Sequence, residues 1–149
     1  FIEYMDVGNL NGWTSDDVVS GKEIVDTINQ QYPLHPIHKN YQGEVASRYQ
    51  YSDGAGEIGI VSSVTQPFCG DCTRARISTD GKLYTCLFAS TGIDLKTPLR
   101  LGATDAELRL IITDAWTLRE DRYSELRMDM RARKKQINTS KVEMFQIGG

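Results

Sequence analysis

All three cysteines of this chain, Cys69, Cys72 and Cys86, lie within a stretch of eighteen residues. Cys69 and Cys72 have the C-x-x-C spacing with which one loop brings two thiolates to a single metal centre. An odd number of cysteines fits a disulfide framework poorly. A redox dithiol is also disfavoured, because its C-x-x-C normally opens a helix, whereas residues 73–79 have the pattern of a strand. The spacing therefore favours a metal centre.

The residues after the cysteine pair predict a β-hairpin whose turn contains Gly81. In the three-residue form of this turn, Gly81 is left-handed and Ser78 pairs with Lys82. Counting back along both strands sets Cys86 opposite Arg74, whereas a two-residue turn would move Cys86 to the other face. Because side chains alternate across a sheet, the longer turn gives one face to Cys72, Arg74, Arg76 and Cys86, and the other to Ala75 and Ile77.

Three thiols leave the identity of the metal open. Structural zinc has four protein ligands, so zinc would need His35 or His38 as well, or would have to be an open catalytic centre. A [4Fe–4S] cluster held by three thiolates leaves one iron free to bind a substrate atom. Structural cysteines without any chemistry are a further alternative, after the redox dithiol.

Two arginines lie directly beside the cysteines. Arg74 and Arg76 are two residues apart on the predicted strand, which places them about 6.6 Å apart on one face. This spacing suits two guanidinium groups that hold a phosphate or the polar edge of a base. The alternative is that both are solvated on the hairpin surface. Their position beside all three thiols favours an anion site next to a metal.

The composition is that of an ordinary globular protein. The chain has 149 residues, 40% of them hydrophobic and 25% charged, which is enough for one domain with its own core. No apolar run approaches the roughly 20 residues of a membrane span, and no leader is evident, so we expect a cytoplasmic protein without a membrane partner. A net charge of −3 argues against nucleic-acid binding, although one nucleotide remains possible.

The rest of the chain predicts an α+β fold, in which β-hairpins of antiparallel sheet are flanked by helices. The expected strands are residues 1–5, 45–51 and 58–64, with residues 32–40 as an extended linker or edge strand. The expected helices begin at the capping boxes Ser20 to Glu23 and Thr104 to Glu107, and end near Gln30 and Arg119. We expect the second helix to bury an apolar stripe made of Leu108, Ile111, Ile112, Ala115 and Leu118.

The segment from Phe68 to Arg76, followed by Cys86, resembles the carboxy-terminal cluster motif of the GTP 3′,8-cyclases, the family of molybdenum cofactor biosynthesis protein A. Four more segments resemble the same family: Phe1–Asn9, Gly43–Ala46, Asp121–Ser124 and Ile147–Gly149. The resemblance thus extends from the first residue to the last.

The resemblance implies a radical S-adenosylmethionine enzyme, a lyase with two [4Fe–4S] clusters. In this family an amino-terminal cluster, held by C-x-x-x-C-x-x-C in an incomplete (β/α) barrel, cleaves S-adenosylmethionine to a 5′-deoxyadenosyl radical. That radical abstracts the ribose 3′ hydrogen of GTP, and the product is 3′,8-cyclo-7,8-dihydro-GTP. The second cluster binds the guanine through its open iron.

The resemblance also implies roles for residues of this chain. The ligands of the second cluster would be Cys69, Cys72 and Cys86, and the residues that contact GTP would be Arg74, Ala75 and Arg76. Met5 would contact S-adenosylmethionine. Gly148 and Gly149 would form the tail that enters the active-site pocket.

The chain contains no C-x-x-x-C-x-x-C, so the resemblance implies the carboxy-terminal part of such an enzyme. Residues 1–30 would be the closing strand and helix of the truncated barrel, and residues 31–149 a domain with the second cluster and the GTP site. We expect this part alone to be inactive. The implied partners are GTP, the amino-terminal radical half, a second copy in a homodimer, and cyclic pyranopterin monophosphate synthase as acceptor of the product. The alternative is a zinc-stabilised structural or binding domain.

Overall fold

The structure is a computed structural model that describes residues 1–132 and 141–147, with the side chains of residues 1–127 and 141–147. The helices are α1 Gly21–Gln31, α2 Lys96–Arg100, α3 Asp105–Thr117 and α4 Tyr123–Ala132. The strands are β1 Leu34–Ile37, β2 Ser47–Tyr51, β3 Glu57–Ile60, β4 Arg76–Ile77, β5 Lys82–Tyr84 and β6 Ile93–Asp94. They form two antiparallel sheets of three strands each. The predicted α+β class is confirmed.

The chain divides into two compact units. The first consists of residues 1–6 and 13–72, and the second of residues 7–12 and 73–149. The first unit contains α1 and the sheet β1-β2-β3, and the second contains α2 to α4 and the sheet β4-β5-β6. Cys69 and Cys72 therefore belong to the first unit and Cys86 to the second.

The sheet of the first unit is a meander in which β2 pairs with both neighbours. The predicted hairpin between β2 and β3 is confirmed, since the Tyr51 N–H donates to the Gly56 carbonyl at 3.0 Å. Residues 34–37 form the edge strand β1, which is the position where Pro36, with no N–H to donate, is tolerated. His35 lies opposite Gln50, and the two side chains are 3.2 Å apart.

The first residues of the chain extend this unit beyond β3. Ile2 forms a parallel bridge with Val61. The Glu3 N–H donates to the Val61 carbonyl at 3.0 Å, and the Val61 N–H donates to the Phe1 carbonyl at 2.9 Å. The strand predicted over residues 1–5 is thus present as this single bridge.

Helix α1 begins where the sequence predicts. The Ser20 hydroxyl accepts the Glu23 N–H at 3.2 Å, as expected of an N-cap. Gly21 occupies the first turn because the helix packs closely there: a Cβ on this residue would lie 2.0 Å from the Ser62 Oγ and 2.8 Å from the Ile60 Cγ2. Only glycine permits that approach.

The second unit has its core around the short sheet. Its buried apolar side chains are Leu83, Tyr84, Leu87, Phe88 and Ile147. Helix α3 begins at a complete capping box, in which Thr104 and Glu107 bind each other's backbone N–H. The described part of the chain contains no helix that is long and apolar enough to cross a membrane.

The buried stripe that the sequence predicts on α3 is present only in part, since Leu108, Ile111 and Ala115 are half-buried whereas Ile112 and Leu118 are exposed. Among the side chains of this helix none is fully buried in the structure, and Ile112 is 41% exposed. Leu118 is 78% exposed because the helix ends at Thr117, two residues earlier than expected. An apolar stripe shows that a helix has a face to bury, but it does not show that the covering surface belongs to the same unit.

Candidate functional site

Cys69 and Cys72 lie at the two ends of a tight turn. Residues 69–71 form one turn of 3₁₀ helix, and the Cys72 N–H donates to the Cys69 carbonyl at 3.3 Å. Gly70 in the turn has open space around it. Both thiols are half-buried. A half-buried thiol is accessible to a soft metal ion, which a fully buried structural cysteine is not.

The hairpin after this turn has the predicted register. The pairs Arg76–Tyr84 and Ile77–Leu83 are observed, and the Ser78 N–H donates to the Lys82 carbonyl at 2.9 Å. Gly81 is left-handed with a φ of 81°. The three-residue turn is therefore confirmed. The paired strands end at Arg76 and Tyr84, so that the pairing of Arg74 with Cys86 stays a prediction.

Burial alternates along the segment that carries the arginines. Cys72, Arg74 and Arg76 are half-buried, whereas Thr73, Ala75 and Ile77 are exposed. This alternation is expected when successive side chains point to opposite faces of extended backbone. The two arginines thus share the less exposed face.

Cys86 is also half-buried, and it lies just after β5. Its Sγ accepts the Phe88 N–H at 3.4 Å. An N–H that points at sulfur stabilises the thiolate over the thiol, since only negative charge on sulfur makes it a good acceptor. Phe88 in turn is buried and stacks on Tyr123, with the ring centroids 4.5 Å apart and an angle of 18° between the planes.

A buried arginine completes the surroundings of this stack. Arg127 is 2% exposed, and its guanidinium lies 4.9 Å from the Phe88 ring and 5.2 Å from the Tyr123 ring. A desolvated cation over two aromatic faces is worth more than one in water. Along the chain, Cys86 therefore lies between strand β5 and Phe88, the residue that stacks on Tyr123.

The three thiols are divided between the two units. Within either unit, the described residues contain no group of three or more His, Cys, Asp or Glu side chains placed to hold a metal ion. His35 is occupied by its contact with Gln50. The binding of one metal centre by all three cysteines is therefore a proposal, and it is argued below from the local surroundings of each cysteine.

Met5, the residue that the resemblance assigns to S-adenosylmethionine, is half-buried. The backbone just before it is fixed from two directions. The Trp13 indole N–H donates to the Tyr4 carbonyl at 2.8 Å, and the Glu3 N–H joins the Val61 carbonyl. Gly148 and Gly149, which the resemblance assigns to the tail, lie outside the described residues.

Glu3 is a residue that the sequence reasoning missed. Its side chain is 2% exposed, and its carboxylate accepts four hydrogen bonds. The donors are the N–H groups of Gly21, Val64 and Thr65, at 2.7, 2.8 and 2.9 Å, and the Thr65 hydroxyl at 2.5 Å. Burial by itself raises the pKa of Glu3, but these hydrogen bonds outweigh it and hold the pKa below its usual value of 4.5.

The signal for Glu3 was present in the sequence as an acidic residue inside an otherwise apolar, strand-like run. A buried carboxylate needs several donors, and these come from the start of α1 and from residues 64–65. Glu3 therefore links the segment that precedes Met5 to the rest of the first unit.

Comparison with known proteins shows the family. The family model described as "Molybdenum Cofactor Synthesis C" matches residues 1–125, which include all three cysteines and both arginines. The chain belongs to the Molybdenum Cofactor Synthesis C family. This confirms the resemblance drawn from the cysteine motif.

Curated relatives of this Molybdenum Cofactor Synthesis C chain carry the name GTP 3′,8-cyclase. The protein of Xanthomonas campestris pv. campestris is 52% identical over 149 residues, which cover 100% of this chain and 42% of the relative. The protein of Acidothermus cellulolyticus is 46% identical over 169 residues, covering 100% and 47%, and that of Staphylococcus haemolyticus is 43% identical over 150 residues, covering 100% and 44%. The chain thus spans less than half the length of these relatives, and it matches their carboxy-terminal part.

Proposed function

We propose that this chain is the carboxy-terminal part of a GTP 3′,8-cyclase, which converts GTP to 3′,8-cyclo-7,8-dihydro-GTP in molybdenum cofactor biosynthesis. The observation that carries the proposal is the block of three half-buried cysteines and two half-buried arginines at residues 69–86. The name and the 52% identity of the Xanthomonas relative support the same reaction.

Cys69, Cys72 and Cys86 are the proposed ligands of a [4Fe–4S] cluster. The donor set fits this group, because all three thiols are half-buried and the Cys86 sulfur already accepts a backbone N–H. When bound by three thiolates, such a cluster offers one iron with an open position for a nitrogen or an exocyclic group of guanine. N–H···S contacts of the kind made by Phe88 tune the charge on the ligand sulfur.

The segment Arg74-Ala75-Arg76 is the proposed contact with GTP. The two guanidinium groups share the less exposed face of extended backbone, about 6.6 Å apart by the rise of a strand. Each can donate charge-assisted hydrogen bonds to a phosphate or to the base. Ala75 between them is exposed, and its methyl side chain is too small to obstruct the nucleotide. The contribution of these residues is to hold the substrate in one orientation.

The remaining parts of the proposal rest on the resemblance to the cyclases. Met5 contacts S-adenosylmethionine, and Gly148 and Gly149 enter the active-site pocket and help to exclude water. Residues 1–30 supply the closing strand and helix of an incomplete (β/α) barrel, and residues 31–149 form the domain with the substrate-side cluster. The amino-terminal half supplies the other cluster, so that the chain alone is inactive. The whole enzyme is a homodimer and passes its product to cyclic pyranopterin monophosphate synthase.

Anaerobic reconstitution with iron and sulfide tests the ligand set. We expect a brown protein with about four iron and four sulfide per chain. Cys86→Ser should lose both, whereas Ser90→Ala, which changes an exposed residue four positions further along, should retain both.

A colourless protein with about one zinc per chain, which unfolds when the zinc is chelated, would instead establish the zinc-stabilised domain. Absence of iron–sulfur absorption after reconstitution would exclude the cluster. The proposed reaction is tested in the full-length protein by incubating it anaerobically with GTP, S-adenosylmethionine and a reductant. Release of 5′-deoxyadenosine without a cyclised nucleotide would refute the proposal.

A further inference from the structure

Cys86 is the first residue of a tight turn that ends at Ala89. The Cys86 carbonyl accepts the Ala89 N–H at 3.3 Å, and the Cys86 Sγ accepts the Phe88 N–H at 3.4 Å. Sulfur is a weak acceptor, so this second bond depends on a backbone that points the N–H at the sulfur. Any contact that fixes residues 86–89 therefore also fixes the hydrogen bond that the Cys86 sulfur accepts.

The two ends of this turn are attached to later parts of the chain. Directly before it, the Thr85 hydroxyl donates to the Asp121 carboxylate. At its end, the Ala89 carbonyl accepts the Val142 N–H at 3.3 Å. All of these residues belong to the second unit. The turn is thus held on both sides, and its middle is held by a side chain.

That side chain is Phe88, which is 8% exposed. Its ring stacks on the Tyr123 ring at a centroid distance of 4.5 Å. The Arg127 guanidinium and the Lys141 ammonium lie 4.9 and 5.5 Å from the Phe88 ring. Stacking and cation–π contacts each favour particular ring orientations. The Phe88 ring therefore has one orientation, and the backbone N–H of the same residue is held with it.

Tyr123 links the turn to α4. It is the first residue of this helix, and Arg127 follows four residues later, on the same face. The Arg127 guanidinium lies 5.2 Å from the Tyr123 ring, and the Lys141 ammonium lies 4.7 Å from it. Tyr123 thus has contacts with Phe88 and with both cations. The place of the Phe88 ring is therefore decided by the start of α4.

We propose that Tyr123 is a positioning residue for the Cys86 ligand, which holds the Phe88 ring so that the Phe88 N–H stays on the sulfur and raises the reduction potential of the cluster. The inference rests on the proposed function, in which Cys86 binds the substrate-side [4Fe–4S] cluster. It adds a residue, distant in sequence from the cysteine motif, that sets a property of this cluster.

The direction of the effect follows from charge. Reduction adds one negative charge to the cluster and its ligands, and the ligand sulfurs carry part of it. An N–H donor at a sulfur stabilises the more negative form by a larger amount, because hydrogen bonds to charged acceptors are the stronger ones. Loss of the Phe88 N–H from the Cys86 sulfur should therefore make the cluster harder to reduce.

Tyr123→Leu is the test, because it removes the stacked ring and keeps an apolar side chain at the start of α4. The substitution is made in the full-length protein, with the cysteines of its amino-terminal C-x-x-x-C-x-x-C motif replaced by alanine so that the substrate-side cluster is observed by itself. The midpoint potential is measured by an anaerobic redox titration followed by electron paramagnetic resonance. We expect the equilibrium to shift about tenfold toward the oxidised form, which is about 59 mV for a one-electron couple.

Two control variants separate this role from a general effect on the fold. Tyr123→Phe keeps the ring and loses the hydroxyl, so we expect the potential of the unsubstituted protein. Phe145→Leu removes an aromatic ring that is 73% exposed in the same unit, and it should leave the potential unchanged. Amide exchange of residues 86–89, measured by mass spectrometry, should be at least about tenfold faster in Tyr123→Leu and unchanged in both controls.

An unchanged potential in Tyr123→Leu would overturn the positioning role, and so would an equal shift in Tyr123→Phe or Phe145→Leu. A shift without faster exchange would overturn the part assigned to the turn. If Tyr123→Leu loses its iron, Phe88→Leu, which removes the other ring, is measured in its place. Loss of iron from both would overturn the proposal, because the stack would then serve assembly of the cluster.

The proposed function fails in a different way from this inference. An unsubstituted protein that binds no iron–sulfur cluster would refute the proposed ligand set, and the role of Tyr123 with it. A cluster that forms and whose potential is indifferent to Tyr123 would refute the positioning role and leave the ligand set intact.

Discussion

Replacing Glu3 by glutamine tests how the first unit is held together. The carboxylate accepts four hydrogen bonds, two at each oxygen: Gly21 and the Thr65 hydroxyl bind Oε1, and Val64 and the Thr65 N–H bind Oε2. Glutamine has the same shape but only one acceptor oxygen. In Glu3→Gln, the NH₂ group can take the place of Oε1 and donate to the Thr65 hydroxyl, which accepts as well as donates, so that the Gly21 N–H is left without an acceptor.

The magnitude depends on the number of donors left without an acceptor. A buried donor without a partner costs about 1–3 kcal/mol, so we expect Glu3→Gln to cost about 1–3 kcal/mol at neutral pH. Glu23→Gln is the matched control, because Glu23 is an exposed glutamate on α1 of the same unit. We expect the control to change the unfolding free energy by less than about 0.5 kcal/mol.

Urea unfolding monitored by tryptophan fluorescence measures this loss in the first unit. The chain has two tryptophans, and Trp13 donates to Tyr4, directly beside Glu3. Trp116 lies in α3 of the second unit, so Trp116→Phe leaves Trp13 as the sole reporter of the first unit. Glu3→Gln and Glu23→Gln are then compared in that background.

The difference between Glu3 and its glutamine variant should depend on pH. Because the folded pKa of Glu3 lies below 4.5, its ionised form stabilises the fold fully above about pH 4.5. That stabilisation is lost as the pH falls through the folded pKa, where Glu3 becomes a neutral acid much like glutamine. The two proteins should therefore converge in acid. A difference under about 1 kcal/mol at pH 7, or one that does not shrink in acid, would refute the reasoning.

Three further predictions concern the second unit. Thr104→Ala removes the hydroxyl that caps α3 and should cost about 1 kcal/mol, seen as faster amide exchange in the helix, whereas Thr104→Ser should cost less; equal losses would contradict the capping role. Gly81→Ala forces a side chain onto a residue with a φ of 81° and puts its Cβ 2.7 Å from the Lys96 Cβ, so we expect about 1–3 kcal/mol of destabilisation in urea. Gly12→Ala, at a φ of 60° with open space around it, should cost less, and equal costs would show that the contact with Lys96 adds nothing to the backbone strain. Arg74→Ala in the full-length protein should weaken GTP binding about tenfold or more while iron content stays constant, and unchanged affinity would disprove that role.

Sequence reasoning succeeded where the structure depends on neighbours along the chain. The turn at Gly81 and the caps at Ser20 and Thr104 are decided by contacts within four residues. Left-handed glycine and a hydroxyl before a helix have the same local energetics in every fold. The register of the hairpin depends on that turn, and the register places Arg74 and Arg76 on the same face.

The same reasoning failed where the partner is distant. The stripe on α3 has the right period, but the period says nothing of which surface covers it. Glu3 was missed because its donors include Val64, 61 residues away. The contact between Asn9 and Glu143 was missed for the same reason, since the two residues are separated by 134 positions. The apolar run around Glu3 marks that residue as unusual, but no local pattern identifies its donors or the partner of Asn9.

The sequence by itself determined the family, the three thiols and two arginines of the candidate site, and the local turns and caps, because each depends on residue type and short spacing. Only the tertiary structure decided that the Glu3 carboxylate holds the start of the first unit, and that Asn9 and Glu143 hold residues 141–147. A buried polar group is stable only where several donors and acceptors converge. In this chain those groups come from distant residues, so their convergence exists only once the chain has folded.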